Sequence, residues 1–151
     1  MKINKVAVLL GLVIASVLFW EVAAHASQAN QATKLTFNEP VEIPGQILPA
    51  GTYLFRLASE EDMDNIRIFN ADGTRVIATI RTISAERGDR ADSAVLVMAK
   101  QAAGRPDALI KWFYAGYTDG HEFVYPNTEE QQLAQDQQYT VVSQDTTEGA
   151  D

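Results

Sequence analysis

The 151-residue chain contains no cysteine. That excludes disulfide staples, thiolate metal sites, a thiol nucleophile and the lipidated cysteine of a lipobox. Histidine is nearly as scarce, with only His25 and His121, so a catalytic triad or imidazole-held metal in the body of the chain must use His121. No Gly-x-Ser-x-Gly segment marks a serine nucleophile. Basic charge is also in short supply: Lys+Arg number 12 against 20 Asp+Glu, for a formal net charge of −8. A chain this acidic repels phosphate backbones, and nucleic acid is not an expected partner. No internal repeat is present, and after Trp20 no long apolar run occurs.

The one long apolar run lies at the start. Met1-Lys2-Ile3-Asn4-Lys5 is a short basic region, and Val6 to Trp20 follows without a charged residue. Ala24-His25-Ala26 then supplies the small-x-small pattern of a signal peptidase site, so residues 1–26 read as an export signal cleaved before Ser27. The run is shorter than the ~20 residues a spanning helix needs, and no membrane span is expected after cleavage. Export to the periplasm or the medium is the expected address. Removing 26 of 151 residues leaves 125, and loss of Lys2, Lys5 and Glu21 moves the charge to about −9. Such a length suits one domain that buries about two-thirds of its unfolded surface. An exported domain without disulfides needs a well-packed core, and a sheet core fits the pattern that follows.

Residues 27–32 are small and polar and read as a flexible N-terminus. From 33 to 126 short runs of period two alternate with turn signals. Val41 to Leu57 states the scheme most plainly: Pro44-Gly45 and Pro49-Ala50-Gly51 punctuate it, and Tyr53, Phe55 and Leu57 alternate with Leu54 and Arg56. Thr33–Phe37 alternates in the same way. Ile66 to Ile68 and Thr74 to Ile83 form a hairpin around Asn70-Ala71-Asp72-Gly73, which matches a type I turn ending in glycine. Ala94–Met98 reads as a strand buried on both faces, and Ala108–Tyr114 and His121–Tyr125 complete the set. About eight short strands joined by loops too short for helical crossovers predict a mainly β fold, an antiparallel β-sandwich or small barrel. Asn127 with Glu130 forms a capping pattern for a short helix to about Gln138, exposed apart from Leu133. Tyr139–Val142 is a possible edge strand, so 127–142 carries helix and strand, and 143–151 reads as a disordered acidic tail.

Candidate chemistry is sparse. The carboxylates of Glu60 to Asp64 lack the spacing that wraps one calcium ion and read as a solvated loop. Arg87-Gly88-Asp89 matches an adhesion tripeptide, but the charges around it favour a solvated ion-pair loop. No metal, cofactor or catalytic residue is assigned. The candidate ligand-binding residues are Trp112, Tyr114, Tyr117 and His121. Aromatic rings stack on sugar faces and anchor protein interfaces, although Trp112 and Tyr114 also suit a core, and Tyr117, beside Gly116 and Gly120, is the ring most expected at the surface. His121 reads as a hydrogen-bonded structural residue. The rival reading is a cell-envelope hydrolase using His121 with Asp119 or Glu122.

With Leu48-Pro49-Ala50-Gly51-Thr52-Tyr53, Trp112-Phe113-Tyr114 and Gly120-His121-Glu122-Phe123-Val124-Tyr125-Pro126 in view, the chain resembles a family of uncharacterised exported bacterial β-rich proteins over about residues 33–138. The resemblance implies export and a β-fold and adds no catalytic residue. The expectation is therefore a non-catalytic binding or structural module, whose partner is a glycan, a small ligand or a protein chain added at a sheet edge.

Overall fold

The structure is a computed structural model that describes residues 31–102, 104–136 and 139–144. The expected export signal, residues 27–30 and the acidic residues 145–151 lie outside the described residues. Among these described residues ten strands and one helix follow in order: β1 Thr33–Phe37, β2 Val41–Ile43, β3 Gln46–Leu48, β4 Gly51–Leu57, β5 Asn65–Asn70, β6 Val76–Glu86, β7 Ala94–Ala99, β8 Asp107–Phe113, β9 Asp119–Phe123, α1 Asn127–Asp136 and β10 Tyr139–Gln144. The fold is mainly β with a short C-terminal helix, as the period-two pattern implies.

The described residues add two short pieces to the expected set: Gln46–Leu48 pairs with β2 as a strand of its own, and the edge strand expected at Tyr139–Val142 forms as Tyr139–Gln144 against β7. Ser143 and Gln144 consequently belong to β10 and not to a tail. The pairing is mostly antiparallel, as expected, and β2 meets β8 in parallel through Val41↔Asp107 and Glu42↔Ala108.

Hydrogen-bonded neighbours run β1-β4-β5-β6-β9-β8-β2-β3, with β7 on the other edge of β8 and β10 beyond it. The 11-residue β6 is the pivot. Its first half pairs with β5 (Asn65↔Arg81 to Phe69↔Val76), its second with β9 (Thr82↔Phe123 to Glu86↔Asp119). Its run of β-branched residues, Val76, Ile77, Thr79, Ile80, Thr82 and Ile83, suits a long pleated ribbon. Around it the path folds into two leaves. Phe55 of β4 meets Trp112 of β8 edge-on at 5.9 Å and Phe123 of β9 at 6.5 Å, although β5 and β6 separate β4 from both in the hydrogen-bonded order. Among the described residues the strand path ends at β1 and at β3 and these two do not pair, so the two leaves form a sandwich and no barrel closes there.

The alternation in β4 sends Tyr53, Phe55 and Leu57 into the space between the leaves. There they join Leu35, Ile66, Ile68, Leu96, Leu109, Trp112 and Phe123 in one core. Turn chemistry sets the registers. Gly45 takes the left-handed conformation (φ 86°) after Pro44 between β2 and β3. Between β5 and β6, Gly73 does the same (φ 70°) and its N–H donates to the Asn70 carbonyl at 2.9 Å. The Asn70 side chain accepts from the N–H groups of Thr74 and Arg75, closing the hairpin from inside.

Candidate functional site

His121 and Trp112 face each other across the β8–β9 pair. Their rings stack with centroids 5.4 Å apart and planes tilted by 30°. Trp112 is 0% exposed, so it fills the core between the leaves and offers no face to a ligand. Its indole Nε1–H is buried and has no acceptor among the described residues. His121 is 5% exposed, and its Nε2 lies 2.9 Å from Oε1 of Gln31. An amide oxygen only accepts, so Nε2 carries the hydrogen and donates. Gln31 is itself fixed: it sits at φ 51°, and its carbonyl accepts from the Thr33 hydroxyl at 3.0 Å. Gln31 is thus buried and bonded to His121 rather than part of a flexible N-terminus.

Neither carboxylate of the hydrolase reading bonds His121 among the described residues. Asp119 is exposed at the start of β9, and Glu122, one residue on from His121 and so on the opposite face, pairs with Lys111 at 3.3 Å. His121 Nε2 is engaged by the Gln31 amide oxygen, which leaves Nδ1 as the nitrogen with a lone pair. Burial pushes the His121 pKa below its ordinary 6.5, with Asp64 pulling in the other direction. The pH dependence follows. Above pH 6.5 both folded and unfolded imidazoles are neutral and His121 adds no slope. As pH falls through 6.5 the unfolded chain takes the proton first, so acid favours unfolding until the lower folded value is reached. Urea midpoints are expected to fall between pH 7.5 and 5.5 in the wild type, and this part of the slope should vanish in His121→Asn.

The tyrosines sit apart from that pair, on the turn from β8 to β9. Tyr117 is 36% exposed and Tyr114 half-buried, and their rings meet edge-on at 5.4 Å. The turn is held by Tyr117 N–H donating to the Tyr114 carbonyl and Gly116 N–H donating to the Ala91 carbonyl at 2.7 Å. Gly116 occupies φ 83°, where a side chain would be strained. Of the four candidates, the structure therefore brings Trp112 and His121 together inside and Tyr114 and Tyr117 together at the surface. A separate cleft of about 400 Å³ opens between the β1–β2 turn and β7, lined by Phe37, Pro40, Val41, Leu96 and Met98 among others, and none of the four candidates lines it.

Sequence reasoning missed Glu42. Strand alternation places it on the solvent side of Val41-Glu42-Ile43, yet all three residues are buried. Its carboxylate accepts from Gln101 Nε2 at 2.7 Å and from Arg105 Nη2 at 3.2 Å. Its backbone carbonyl, with that of Leu109, accepts from the Tyr125 hydroxyl. Burial, then the Glu42 and Glu129 carboxylates, hold that phenol far above its ordinary range, so it stays a donor. These contacts clamp the short parallel strand β2 to β8 and to the 101–106 turn, a structural task. Among the described residues no group of three acidic or histidine side chains converges on a metal position, and no helix is long and apolar enough to cross a membrane. No protein-family model, curated protein or solved structure matches the chain.

Proposed function

We propose that the chain is an exported recognition domain that works by binding rather than turnover. The observation that supports this is the Tyr114–Tyr117 pair. Two amphipathic rings are held at a fixed angle on a rigid turn with one of them open to solvent, an arrangement suited to stacking on the face of a sugar ring. The signal-like residues 1–26 and the resemblance to exported bacterial β-rich proteins support the address. The hydrolase reading is less well supported, since His121 is buried and amide-bonded and neither Asp119 nor Glu122 bonds it among the described residues.

The rival partner is a protein strand added to β10, whose outer edge has no partner strand among the described residues and carries Val141 at 63% exposure. Glycan-array binding is expected for the intact exported chain and is expected to drop at least tenfold in Tyr117→Ala without a change in melting temperature. Absence of glycan binding, together with assembly that grows with protein concentration in light scattering, would favour the edge partner instead.

A further inference from the structure

The outward face of the β1-β4-β5-β6 leaf carries a charge opposite to that of the molecule. In antiparallel strands, residues in register point to the same face, as do residues two apart. Lys34 is opposite Leu54, Arg56 is opposite Arg67, Arg67 is in turn opposite Thr79, and Arg81 lies two residues on from Thr79. Lys34, Arg56, Arg67 and Arg81 therefore stand in one oblique row across four strands, each step a direct or diagonal neighbour at roughly 5–8 Å. The inward residues between them, Leu35, Phe55, Ile66 and Ile80, are buried, which fixes the row on the solvent side. None of the four cations is in an ion pair among the described residues. Asp62, at the end of this leaf, gives both carboxylate oxygens to Asn65. Arg56 lies over the Phe69 ring at 4.2 Å, which holds its guanidinium against the sheet.

Like charges directly opposite on neighbouring strands destabilise a sheet, and here two arginines are matched in a chain whose net charge is −8. An uncompensated local cost of this kind is characteristic of binding surfaces. We propose that this row binds a linear acidic polysaccharide, one carrying carboxylates along its length, with successive anions meeting Lys34, Arg56, Arg67 and Arg81. The shape of the row selects this occupant. A single-file track fits a slender polymer lying within a Debye length of four cations, whereas a broad anionic surface would also meet the acidic remainder of the molecule. A nucleic acid would want exposed rings for its bases to stack on, and the aromatic ring of this face, Phe69, is buried beneath Arg56. The surface is on the other leaf from the Tyr114–Tyr117 turn, so the two readings stand or fall separately.

The test uses the full exported chain and polygalacturonate as probe, with binding followed by titration at 50 and 200 mM salt. Retention at low salt that weakens steeply with added salt is expected. Arg56→Gln/Arg67→Gln should lower affinity at least tenfold and flatten the salt dependence by about two ions, one per lost cation, by analogy with counterion release from other polyanions. Arg67→Glu supplies the readout that a merely structural arginine would not give: replacing repulsion by attraction opposite Arg56, it should abolish polygalacturonate binding while holding or raising the melting temperature. Failure of the wild type to bind, equal binding by the double glutamine variant, or tighter binding to an oligothymidylate of matched charge would each overturn the proposal.

Discussion

Replacing Trp112 by alanine is expected to lower the free energy of unfolding by about 3–5 kcal/mol, the usual loss when a buried tryptophan is truncated. The indole is fully enclosed, meets Phe55 edge-on and stacks on His121, so its removal opens a hole at the point where the two leaves touch. A native domain holds only about 5–15 kcal/mol in reserve, and a melting temperature lower by on the order of 10 °C or more should be plain in a thermal scan. Trp112→Phe is expected to be much milder. It leaves most of the ring in place and deletes an indole N–H that finds no acceptor among the described residues, a group whose burial itself costs about 1–3 kcal/mol. If alanine and phenylalanine were equally damaging, the hole would not be the main cost.

Gly120→Ala should be nearly as severe through the opposite mechanism. A Cβ at residue 120 would collide with Cδ1 of Phe113 and lie 2.6 Å from the backbone oxygen of Trp112. A ring can tilt away, but a carbonyl held in the β8–β9 region cannot yield without moving the strand. Overpacking of this kind costs about 1–3 kcal/mol and more where backbone must shift, and the upper end is expected here. Gly88→Ala is the control: nothing lies within 4 Å of its Cβ, and the change should leave the urea midpoint where it is. A Gly120→Ala protein as stable as the wild type would mean that β8 and β9 are further apart than described.

The strands were legible wherever one face of a strand meets the core and the other meets water. Tyr53, Phe55 and Leu57 alternate with Leu54 and Arg56 because the leaf has a single buried side, and the Asn70–Gly73 turn is a local matter of four residues. Where that condition fails, period two misleads. Glu42 alternates correctly and is buried regardless, because the 101–106 turn, reached only through Gln101 and Arg105 some sixty residues away, covers the face that alternation assigns to water. The parallel β2–β8 contact is equally distant in sequence and has no local signature. Gln31 looked mobile because a glutamine in a polar stretch reveals nothing of an imidazole ninety residues on.

The candidate site divides in the same way. Tyr117 could be placed at the surface from its glycine neighbours, and His121 could be read as structural from the shortage of partners. That Trp112 and His121 stack on each other required the β8–β9 register. The cationic row is invisible for the same reason. Lys34, Arg56, Arg67 and Arg81 are isolated charges along the chain, spread among acidic residues, and only the pairing of four strands brings them into line.

Recognition at the two outward surfaces is tested most directly by mapping backbone amide and arginine side-chain NMR shifts of the intact exported chain during titration with short polygalacturonate and with neutral oligosaccharides. The expected result is saturable shifts confined to Arg56, Arg67 and Arg81 for the acidic polymer and to the Tyr114–Tyr117 turn for a neutral sugar, with both ligands recovered unchanged. Shifts centred on His121, accompanied by cleavage of either ligand, would contradict it.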